Sequence, residues 1–528
     1  MTRKFLVGLL AMFFVSVFAR AQTTRPSGPS EPTDLLAEAK WSYSLDEGET
    51  FSSDSPTIKA ETTANITART EFDVADTAGL VVLELTPNLP TRSRHYLKFF
   101  LNDKQIAPQM EGMNYKTYRA IDAKMLKAGK NVLTAKITLK NLSSRHLKAK
   151  DYQLDIAMRL AALKPEHLKI QTGPILGAFG KDYFTVTCRT NMPSRVMLGT
   201  IRTSGSRVGS PTIFKCPAGL IHRFHVKVNG TGSHDYQIDA SYGKRVRCTV
   251  SGQVKLPTVE NNLRFVAMGD SRTHPKDWAK VAGAVIETKP DLIVFSGDMV
   301  AYGLNDWEWD EQFFGPAKKL FATIPFYAVI GNHEHDAPLY PELFYTPGKD
   351  GRSKNWSQEI NGVLLIGIDG NEDFSAGSEN GKWLEKILDG SNAKFIFFFS
   401  HYPAWTSSNH GWLDKDTGRP GEKAVRQGQD VLVPLLTKYK ATAFICGHDH
   451  VYERSELPGG LTHVISGGAG APLRKKVENA KKQNPYSKVF FSTLHYCLFE
   501  IKGDTCTMKA FTPDGKVIDA RTWKARNQ

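Results

Sequence analysis

The chain has 528 residues, of which 41% are hydrophobic and 23% charged, and its formal net charge is +14. This composition is ordinary for a globular protein and excludes a fibrous one, and the length suggests about three domains. The six cysteines are too few for a disulfide scaffold, and the basic balance favours anionic partners, although no segment is typical of nucleic-acid recognition.

The first element in chain order is an amino-terminal segment, residues 1–21, that is typical of a signal peptide. Arg3 and Lys4 precede an apolar core over residues 5–18, and Ala21 supplies a small residue at the predicted cleavage point. The alternative is a membrane anchor, but a spanning helix needs about 20 apolar residues and this core is shorter. We therefore expect a secreted or periplasmic protein that keeps no membrane anchor after signal cleavage.

The next two segments are a linker and a β-rich region. Residues 22–34 are rich in Pro, Ser and Thr, which predicts a flexible linker. Residues 35–162 show alternating apolar runs separated by turn residues, which predicts a β-sandwich. The stretches YLKFFLNDKQI and LKAGKNVLTAKI resemble the jelly-roll, galactose-binding-like modules of secreted enzymes. Such a module either contacts glycans or serves as a structural spacer, and the residues leave both interpretations open.

A second all-β unit is predicted over residues 163–257. Its opening, TGPILGAFGKDYFTVTCRTNMPSRVMLGT, resembles the fibronectin type III-like sandwich that precedes the catalytic domain in plant-type purple acid phosphatases. The unit contains His222, His225 and His234. We interpret them as surface histidines rather than metal ligands, because residues 222 and 225 would face opposite sides of a strand.

The remaining residues, 258–528, predict an α/β sandwich because apolar strand patterns alternate with helical ones. In PKDWAKVAGAVIE, Trp278, Val281 and Val285 recur at helical spacing, and LIVF at residues 292–295 predicts a short buried parallel strand. The expected fold is therefore multidomain, with two N-terminal β-sandwiches followed by an α/β sandwich.

Five segments of this last region share one design, in which an apolar run ends in polar side chains. They are LRFVAMGDSR, LIVFSGDMVAYG, PFYAVIGNHE, FIFFFSHYPAW and ATAFICGHDH. Parallel strands deliver such residues at one edge of an open α/β sheet, so we expect these side chains to meet. The side chains are Asp270, Asp298, Asn332, His333, His401, His448 and His450. Carboxylate and amide oxygens mixed with imidazoles suit two divalent or trivalent cations that share one bridging carboxylate.

The blocks GDSR, GDMVAYG, GNHE, SHYP and GHDHVYER, in this order, resemble those of the calcineurin-like metallophosphoesterases. The tetrapeptide VYER, and the position of His410 nine residues after His401, resemble the purple acid phosphatase-like branch. The resemblance implies a phosphatase that hydrolyses phosphate monoesters with two metal ions, by attack of a metal-bound hydroxide, and the signal-peptide pattern implies that it is exported. It leaves open whether the ions are Fe, Zn or Mn.

Carried over position by position, the resemblance implies two metal sites that share the carboxylate of Asp298. The ligands of the first site are Asp270, Asp298 and His450. The ligands of the second site are Asp298, Asn332, His401 and His448. The resemblance also implies two catalytic histidines, His333 and His410, which would bind phosphate oxygens and protonate the leaving group.

Two positions depart from the family's pattern, and both concern the first metal. The family places a histidine two residues after the first aspartate, where this chain has Arg272. The purple acid phosphatase-like branch places a tyrosine three residues after the bridging aspartate, where this chain has Ala301. Tyr302, one residue later, and His274, two residues past the usual histidine position, are the candidate substitute ligands, and water is the alternative to both. Arg272 is either a phosphate-binding residue or an ion-paired or solvent-facing one.

The sequence leaves two other functions open. The first is a phosphodiesterase or nucleotidase of the same fold. The second is a non-catalytic glycan- or surface-binding protein in which these departures have left a degraded metal site. The expected partner of the enzyme is a phosphorylated small-molecule substrate, with no nucleic acid involved. Metal content together with turnover separates the enzyme from the binding protein.

Overall fold

The structure is a computed structural model that describes residues 31–59, 63–88, 94–106, 110–112, 119–140, 151–154, 156–202, 212–257, 262–348 and 351–526. The predicted signal peptide and most of the predicted linker lie outside these residues. The described part is built mostly of β-strands in several sheets. Within it, no helix combines the length and the apolar character needed to cross a membrane.

The first strands that the structure describes surround a core of their own. They are β1 (Thr33–Asp34), β2 (Trp41–Ser44), β3 (Thr57–Ile58), β4 (Ala64–Val74), β5 (Val82–Asn88), β6 (Arg94–Leu101), β7 (Lys104–Gln105), β8 (Met110–Gly112), β9 (Arg119–Asp122), β10 (Gly129–Lys140), β11 (Tyr152–Gln153) and β12 (Ala157–Leu163). One sheet has the order β1-β12-β5-β9, a second has the order β2-β4-β10-β6-β7 with β8 also on β6, and β3 pairs with β11. Along β4, Thr70, Phe72 and Val74 are buried between exposed neighbours, the alternation of a strand with one face on a core.

The next strands form a separate sheet. They are β13 (Ile170–Phe179), β14 (Tyr183–Arg202), β15 (Thr212–Lys227), β16 (Gly232–Tyr242) and β17 (Arg245–Leu256). Their order is β13-β14-β16-β17, with β15 also paired to β14. Here the prediction of surface histidines is wrong for His222 and His234, which are buried, while His225 is exposed. Cys188 lies opposite His222 in the strand register, so both side chains face the interior.

Two arginines of these strands form hydrogen bonds to residues of the α/β region. The guanidinium of Arg189 pairs with the carboxylate of Asp310 at 2.6 Å, and both side chains are largely buried. The guanidinium of Arg223 donates to the backbone carbonyls of Pro341 and Glu342 at 2.7 and 2.8 Å. Charge-assisted bonds of this kind hold the second group of strands against the α/β region. All six cysteines of the chain are free thiols.

The α/β region contains two facing sheets. Its strands are β18 (Asn262–Met268), β19 (Leu292–Phe295), β20 (Phe326–Ala328), β21 (Trp356–Ile360), β22 (Val363–Gly367), β23 (Phe395–Phe399), β24 (Ala443–Cys446), β25 (Tyr452–Glu456), β26 (Thr462–Ser466), β27 (Ser487–Phe491), β28 (Tyr496–Lys502), β29 (Thr505–Phe511) and β30 (Val517–Lys524). One sheet runs β20-β19-β18-β28-β29-β30 and the other β21-β22-β23-β24-β26-β25-β27. The predicted buried strand is β19, and it runs parallel to β18 and to β20.

Helices pack on the outer faces of these sheets. They are α1 (Pro275–Glu287), α2 (Asp306–Glu308), α3 (Lys318–Thr323), α4 (Leu339–Leu343), α5 (Glu379–Asp389), α6 (Lys423–Gln427), α7 (Val433–Lys438) and α8 (Ala480–Gln483). Wider π-helical turns occupy Trp309–Phe314 and Gly428–Leu432, and 3-10 turns occupy Ala123–Met125, Pro165–His167, Asn409–Gly411 and Pro458–Gly460. The predicted helix is α1, and its Trp278, Val281 and Val285 are buried as its helical spacing requires.

The core between the two sheets is aromatic. The ring of Phe265 on β18 lies 5.1 Å from that of Phe397 on β23 and 4.6 Å from that of Phe499 on β28. The neighbouring residue of the same strand, Val266, faces the other way, into the cluster that contains α1. The central strands β19, β23 and β24 are buried on both faces, which fixes the strand ends that carry the polar loops.

Candidate metal centre

Five strand ends converge at one edge of the two sheets. Each of these strands ends in buried residues, and the chain then enters a short loop that carries polar side chains. The strands and the first site residue after each are β18 with Asp270, β19 with Asp298, β20 with Asn332, β23 with His401 and β24 with His448. The loops follow the carboxyl ends of parallel strands, where open α/β sheets collect their sites.

The backbone of these loops is strained. Asp270, Asp298 and His448 have φ values of 62°, 56° and 70°, a left-handed conformation that is uncommon for residues with a side chain. Gly297 shares this conformation with a φ of 86°, and a Cβ there would lie 2.8 Å from Nδ1 of His401. The close approach of two loops therefore requires glycine at this position. Strain of this kind collects at functional sites, where surrounding contacts hold it in place.

Asp298 lies buried at the middle of the cluster. Its Oδ1 accepts the backbone N–H of His333 at 3.0 Å and lies 3.3 Å from Nε2 of His401. Its Oδ2 accepts a hydrogen bond from Nε of Arg272 at 3.3 Å. Burial alone would raise the pKa of Asp298, but its attraction to the neighbouring side chains of His401, His333 and Arg272 outweighs burial and holds that pKa below its usual range. The carboxylate therefore stays ionised, as a metal ligand must.

A second buried carboxylate, that of Asp270, lies on one side of Asp298. The backbone N–H of His448 donates to both of its oxygens, at 3.1 and 3.0 Å. Burial, and then the negative charge of Asp298, raise the pKa of Asp270. The Nδ1 of His450 donates to the carbonyl of Pro472 at 2.7 Å. The Nε2 of His450 is thus left pointing inward, 3.6 Å from Oδ1 of Asp270 and without a hydrogen-bond partner among the described residues.

The other side of Asp298 is lined by an amide and two imidazoles. The Nδ1 of His401 donates to the carbonyl of Ser296 at 2.7 Å, which turns Nε2 inward. That Nε2 lies 3.0 Å from Oδ1 of Asn332 and 3.1 Å from Nδ1 of His448. Burial lowers the pKa of His401, and it lowers the pKa of His448 to about 3. A lowered pKa favours the neutral form of each ring, which keeps a lone pair for a cation.

These side chains form two groups with the spacing of metal ligands. The ligand atoms of Asp270, Asp298 and His450 all lie within 4.8 Å of one another, and so do those of Asp298, His401 and His448. Asp298 belongs to both groups. Mixed oxygen and nitrogen donors around a shared carboxylate, with the unpartnered Nε2 of His450 aimed at them, fit a pair of cations.

Glu422 is a residue of this site to which the sequence did not point. Its Oε1 lies 2.5 Å from Nδ1 of His410, and its Oε2 lies 2.9 Å from Nε2 of His448. The rings of these two histidines are 3.7 Å apart between centroids. Burial would raise the pKa of Glu422, but the hydrogen bonds from the two histidines outweigh burial and lower that pKa to about 2. The carboxylate of Glu422 therefore links His410 to the cluster of candidate metal ligands.

Glu334, the last residue of GNHE, holds two of the loops together. Its buried carboxylate accepts the backbone N–H groups of Asp298, Met299 and Gly331 at 2.9, 2.8 and 2.6 Å. Burial, and then the charge of Asp298, raise the pKa of Glu334, whereas the three N–H donors lower it. The block GNHE therefore contains a residue that supports the loop of Asp298, in addition to Asn332 and His333.

The second catalytic histidine predicted from the sequence, His333, lies beside Asp298. Its Nδ1 donates to the carbonyl of Ala301 at 2.6 Å, and its Nε2 lies 3.8 Å from Oδ2 of Asp298. The side chain is 28% exposed, so one edge of the ring reaches solvent. The remaining part of the ring is buried, and this burial lowers the pKa of His333.

The side chains of the block VYER form hydrogen bonds to two neighbouring segments of the chain. The hydroxyl of Tyr452 and Nε of Arg454 both donate to the carboxylate of Asp519, each at 2.6 Å. The buried carboxylate of Glu453 accepts the backbone N–H of Ser407 at 2.8 Å. Ser407 lies in the chain segment between His401 and His410, so Glu453 helps to fix that segment.

The residues at the two departures from the family pattern lie in or near the cluster. Arg272 forms an ion pair with Asp298 and is therefore part of the site. The ring of Tyr302 packs on that of His335, with centroids 4.4 Å apart, and its backbone N–H donates to Glu308. The role of Tyr302 as a substitute ligand stays a prediction.

Comparison with known proteins agrees with this geometry. Residues 263–452 match the family profile of the calcineurin-like phosphoesterases. The tartrate-resistant acid phosphatase type 5 of Homo sapiens is 25% identical over 305 residues, which cover 48% of this chain and 89% of that protein. The probable inactive purple acid phosphatase 24 of Arabidopsis thaliana is 27% identical over 35% of each protein.

One solved structure shares the fold over most of the chain. It is a purple acid phosphatase from the seeds of yellow lupin (Lupinus luteus), with a TM-score of 0.59, 15% identity and coverage of 88% of this chain and 93% of that one. The relatives and this shared fold support a hydrolase. Residues 263–452 are therefore a calcineurin-like phosphoesterase domain, and the relatives of the chain are tartrate-resistant and purple acid phosphatases.

Proposed function

We propose that this protein hydrolyses phosphate monoesters at a centre of two metal ions. The observation that carries the proposal is the sharing of Asp298 between two groups of ligand atoms, one with Asp270 and His450 and the other with His401 and His448. A shared carboxylate can hold two cations close together, an arrangement that serves phosphoryl transfer. Because some relatives are named as inactive, catalysis itself is part of the proposal.

The two groups divide the ligands between the ions. The first ion would take Asp270, Asp298 and His450, and the second would take Asp298, Asn332, His401 and His448. The ions, whether Fe, Zn or Mn, would withdraw electrons from the phosphorus and activate a water molecule as the nucleophile. Neutral imidazoles and ionised carboxylates are the protonation states that such binding needs. Tyr302 is the candidate for a further ligand of the first ion, and Arg272 for a contact to a phosphate oxygen.

The proton for the leaving group would come from His333 and His410. Hydrolysis forms a bond from a water oxygen to phosphorus and breaks the ester P–O bond, so the departing alkoxide needs a proton. Nδ1 of His333 is held by the carbonyl of Ala301, and Nδ1 of His410 is held by Glu422. Each ring can therefore give a proton from Nε2 when it is doubly protonated. Burial lowers the pKa of His333, so its protonated form is favoured in acid.

Glu422 would act as a positioning residue. Its carboxylate accepts a hydrogen bond from Nε2 of His448, so Nδ1 of that ring faces His401 and the second metal position. A carboxylate behind a ligand histidine fixes its tautomer and orientation and makes the ring a better ligand. The same carboxylate sets the orientation of His410, which couples metal binding to placement of the proton donor.

The rest of the chain supports an exported, modular protein. We propose a signal peptide at residues 1–21, a linker at 22–34, a jelly-roll-like, galactose-binding-like sandwich at 35–162, a fibronectin type III-like domain at 163–257 and the metallophosphoesterase domain at 258–528. The separate core of the first strands and the separate sheet of β13–β17 are consistent with these divisions. Amino-terminal sequencing of the exported protein tests the cut after Ala21, since any other first residue contradicts it.

The experiment that tests the proposed function compares metal-loaded and chelator-treated protein. Nitrophenyl phosphate represents monoesters and bis(nitrophenyl) phosphate represents diesters. We expect turnover of the monoester that is lost with the metals and returns when Fe, Zn or Mn is restored, and a slower reaction with the diester. A protein that binds metals but hydrolyses neither compound would be a binding protein instead, and faster turnover of the diester would make it a phosphodiesterase.

A further inference from the structure

A groove of about 520 Å³ lies beside the candidate metal centre. Arg272 and His450 line it on the side of the metals, and Arg474 and Lys475 line it on the other side. None of the described residues that line the groove carries a carboxylate. The groove therefore presents positive charge next to the place where the phosphate ester would bind.

The segment that carries Arg474 and Lys475 is fixed to the site loops by backbone contacts. The N–H of Ala471 donates to the carbonyl of Asp270 at 2.8 Å, and the N–H of Arg474 donates to that of His450 at 3.2 Å. The hydroxyl of Ser408 donates to the carbonyl of Lys475 at 3.0 Å. Because the segment is already ordered, a ligand would not have to supply the free energy to order it.

The charges in the groove are only partly neutralised. Nε of Arg474 is buried without a hydrogen-bond partner in the described part of the chain, and it lies 3.8 Å from Oδ1 of Asp449. The carboxylate of Asp449 is fully buried and does not line the groove, so it pairs with Arg474 without contacting a ligand bound there. Lys475 is exposed and forms no ion pair with the residues described. An anion in the groove would pair with Lys475 and with the part of the Arg474 side chain that remains exposed.

We propose that this groove binds a second anionic group of the substrate, so that the preferred substrates are phosphate esters that also carry a phosphate or a carboxylate. The inference rests on the proposed function for the position of the first phosphate. It adds a recognition site for a part of the substrate that does not react. Such a site raises affinity through fixed contacts in addition to general attraction by the net charge.

Binding of stable phosphonates to the metal-loaded protein tests the proposal. The probes are butylphosphonate, which has one anionic group, and carboxypropylphosphonate and butane bisphosphonate, which have two. We expect both doubly anionic probes to bind about tenfold more tightly, the effect of roughly one charge-assisted hydrogen bond, after correction for the two equivalent ends of the bisphosphonate. A preference for the bisphosphonate alone would assign the groove to phosphate, and a preference for both would assign it to anions in general.

Variants separate the groove from the overall charge. Lys475→Gln and Arg474→Gln should each reduce the preference for the second anionic group. The control variant K481Q/K482Q removes two exposed charges of α8 outside the groove and should keep the preference. Equal affinity for all probes in the wild type, or a preference that survives in both groove variants, overturns the proposal. Because phosphonates are not hydrolysed, loss of the proposed activity on nitrophenyl phosphate is a separate result.

Discussion

Oε2 of Glu422 lies 2.9 Å from Nε2 of His448, on the side of the imidazole opposite the nitrogen that faces His401. The other oxygen of the same carboxylate holds His410. One half-buried glutamate therefore orients a proposed metal ligand and a proposed proton donor together. The two histidines should respond jointly when it is changed.

The variant Glu422→Gln tests this coupling. A glutamine side chain has one acceptor oxygen, so it can accept a hydrogen bond from only one of the two imidazole N–H groups. We expect weaker binding of one metal and lower turnover, each by about 10- to 100-fold. Metal retention against a chelator and the kcat for nitrophenyl phosphate measure the two effects. Glu385→Gln, at a surface ion pair with Lys438, is the control and should change neither. An effect on turnover with no effect on metal retention would contradict the link to His448.

The variant Glu334→Gln tests the support of the loop of Asp298. The NH₂ group of the glutamine would face at least one of the backbone N–H groups from which Glu334 now accepts a hydrogen bond. We expect a loss of about 1–3 kcal/mol in unfolding free energy, together with weaker metal binding. Glu342→Gln breaks an exposed pair with Arg352 and should cost less than about 1 kcal/mol. Urea unfolding of both variants makes the comparison, and equal losses would speak against the structural role of Glu334.

His333→Asn tests the proposed proton donor. A nitrophenolate leaves readily as an anion, whereas an alkoxide needs a proton. We therefore expect a loss of up to about 10²- to 10⁴-fold in kcat on alkyl phosphates and a much smaller loss on nitrophenyl phosphate. His448→Asn should impair both substrates alike, because it removes a metal ligand. If the two variants show the same dependence on the leaving group, His333 is not the donor.

The buried ring of His495 predicts a pH dependence of stability. Burial lowers its pKa from 6.5 to about 4, and its Nε2 has no hydrogen-bond partner among the described residues. Between these two pH values the unfolded chain takes up a proton that the folded chain does not, so unfolding free energy falls as the pH falls through this window. The loss levels off below the folded pKa, where both states are protonated.

Comparison with a variant isolates the contribution of His495. Between about pH 6.5 and 5, the wild type should lose about 2 kcal/mol more than His495→Asn, at about 1.4 kcal/mol per pH unit. His225→Asn replaces an exposed histidine and should follow the wild type. The measurement is unfolding free energy by urea titration at each pH. Parallel pH curves for the wild type and His495→Asn would contradict the account of this ring.

The sequence predicted the parts of the site that follow directly from strands. Asp298 follows β19, and a buried apolar run ending in Gly-Asp is a local pattern that the fold preserves. Glu334 is the last residue of the block GNHE, so its position close to the loop of Asp298 could be predicted from the sequence. Glu422 follows no strand. It reaches His410 because the intervening loop folds back, with the N–H of Gly421 donating to the carbonyl of Trp412 at 2.9 Å.

The error over His222 and His234 has a related cause. The spacing of residues along a strand predicts which side chains share a face, but it does not predict which face the rest of the protein covers. His222 faces the core with Cys188, and burial lowers its pKa to about 4, so it is a neutral interior residue. Contacts between segments far apart in the chain determine both the position of Glu422 and the burial of the two histidines.

The carboxylate of Asp298 would be shared by two metal ions. Elemental analysis of the wild type and of Asp298→Ala, after equal exposure to metal and removal of the free ions, tests this sharing. We expect about two ions per chain in the wild type. We expect loss of both ions in the variant, because without the shared charge two cations would face each other unscreened. Unchanged metal content in Asp298→Ala, or loss of a single ion, would contradict the shared carboxylate.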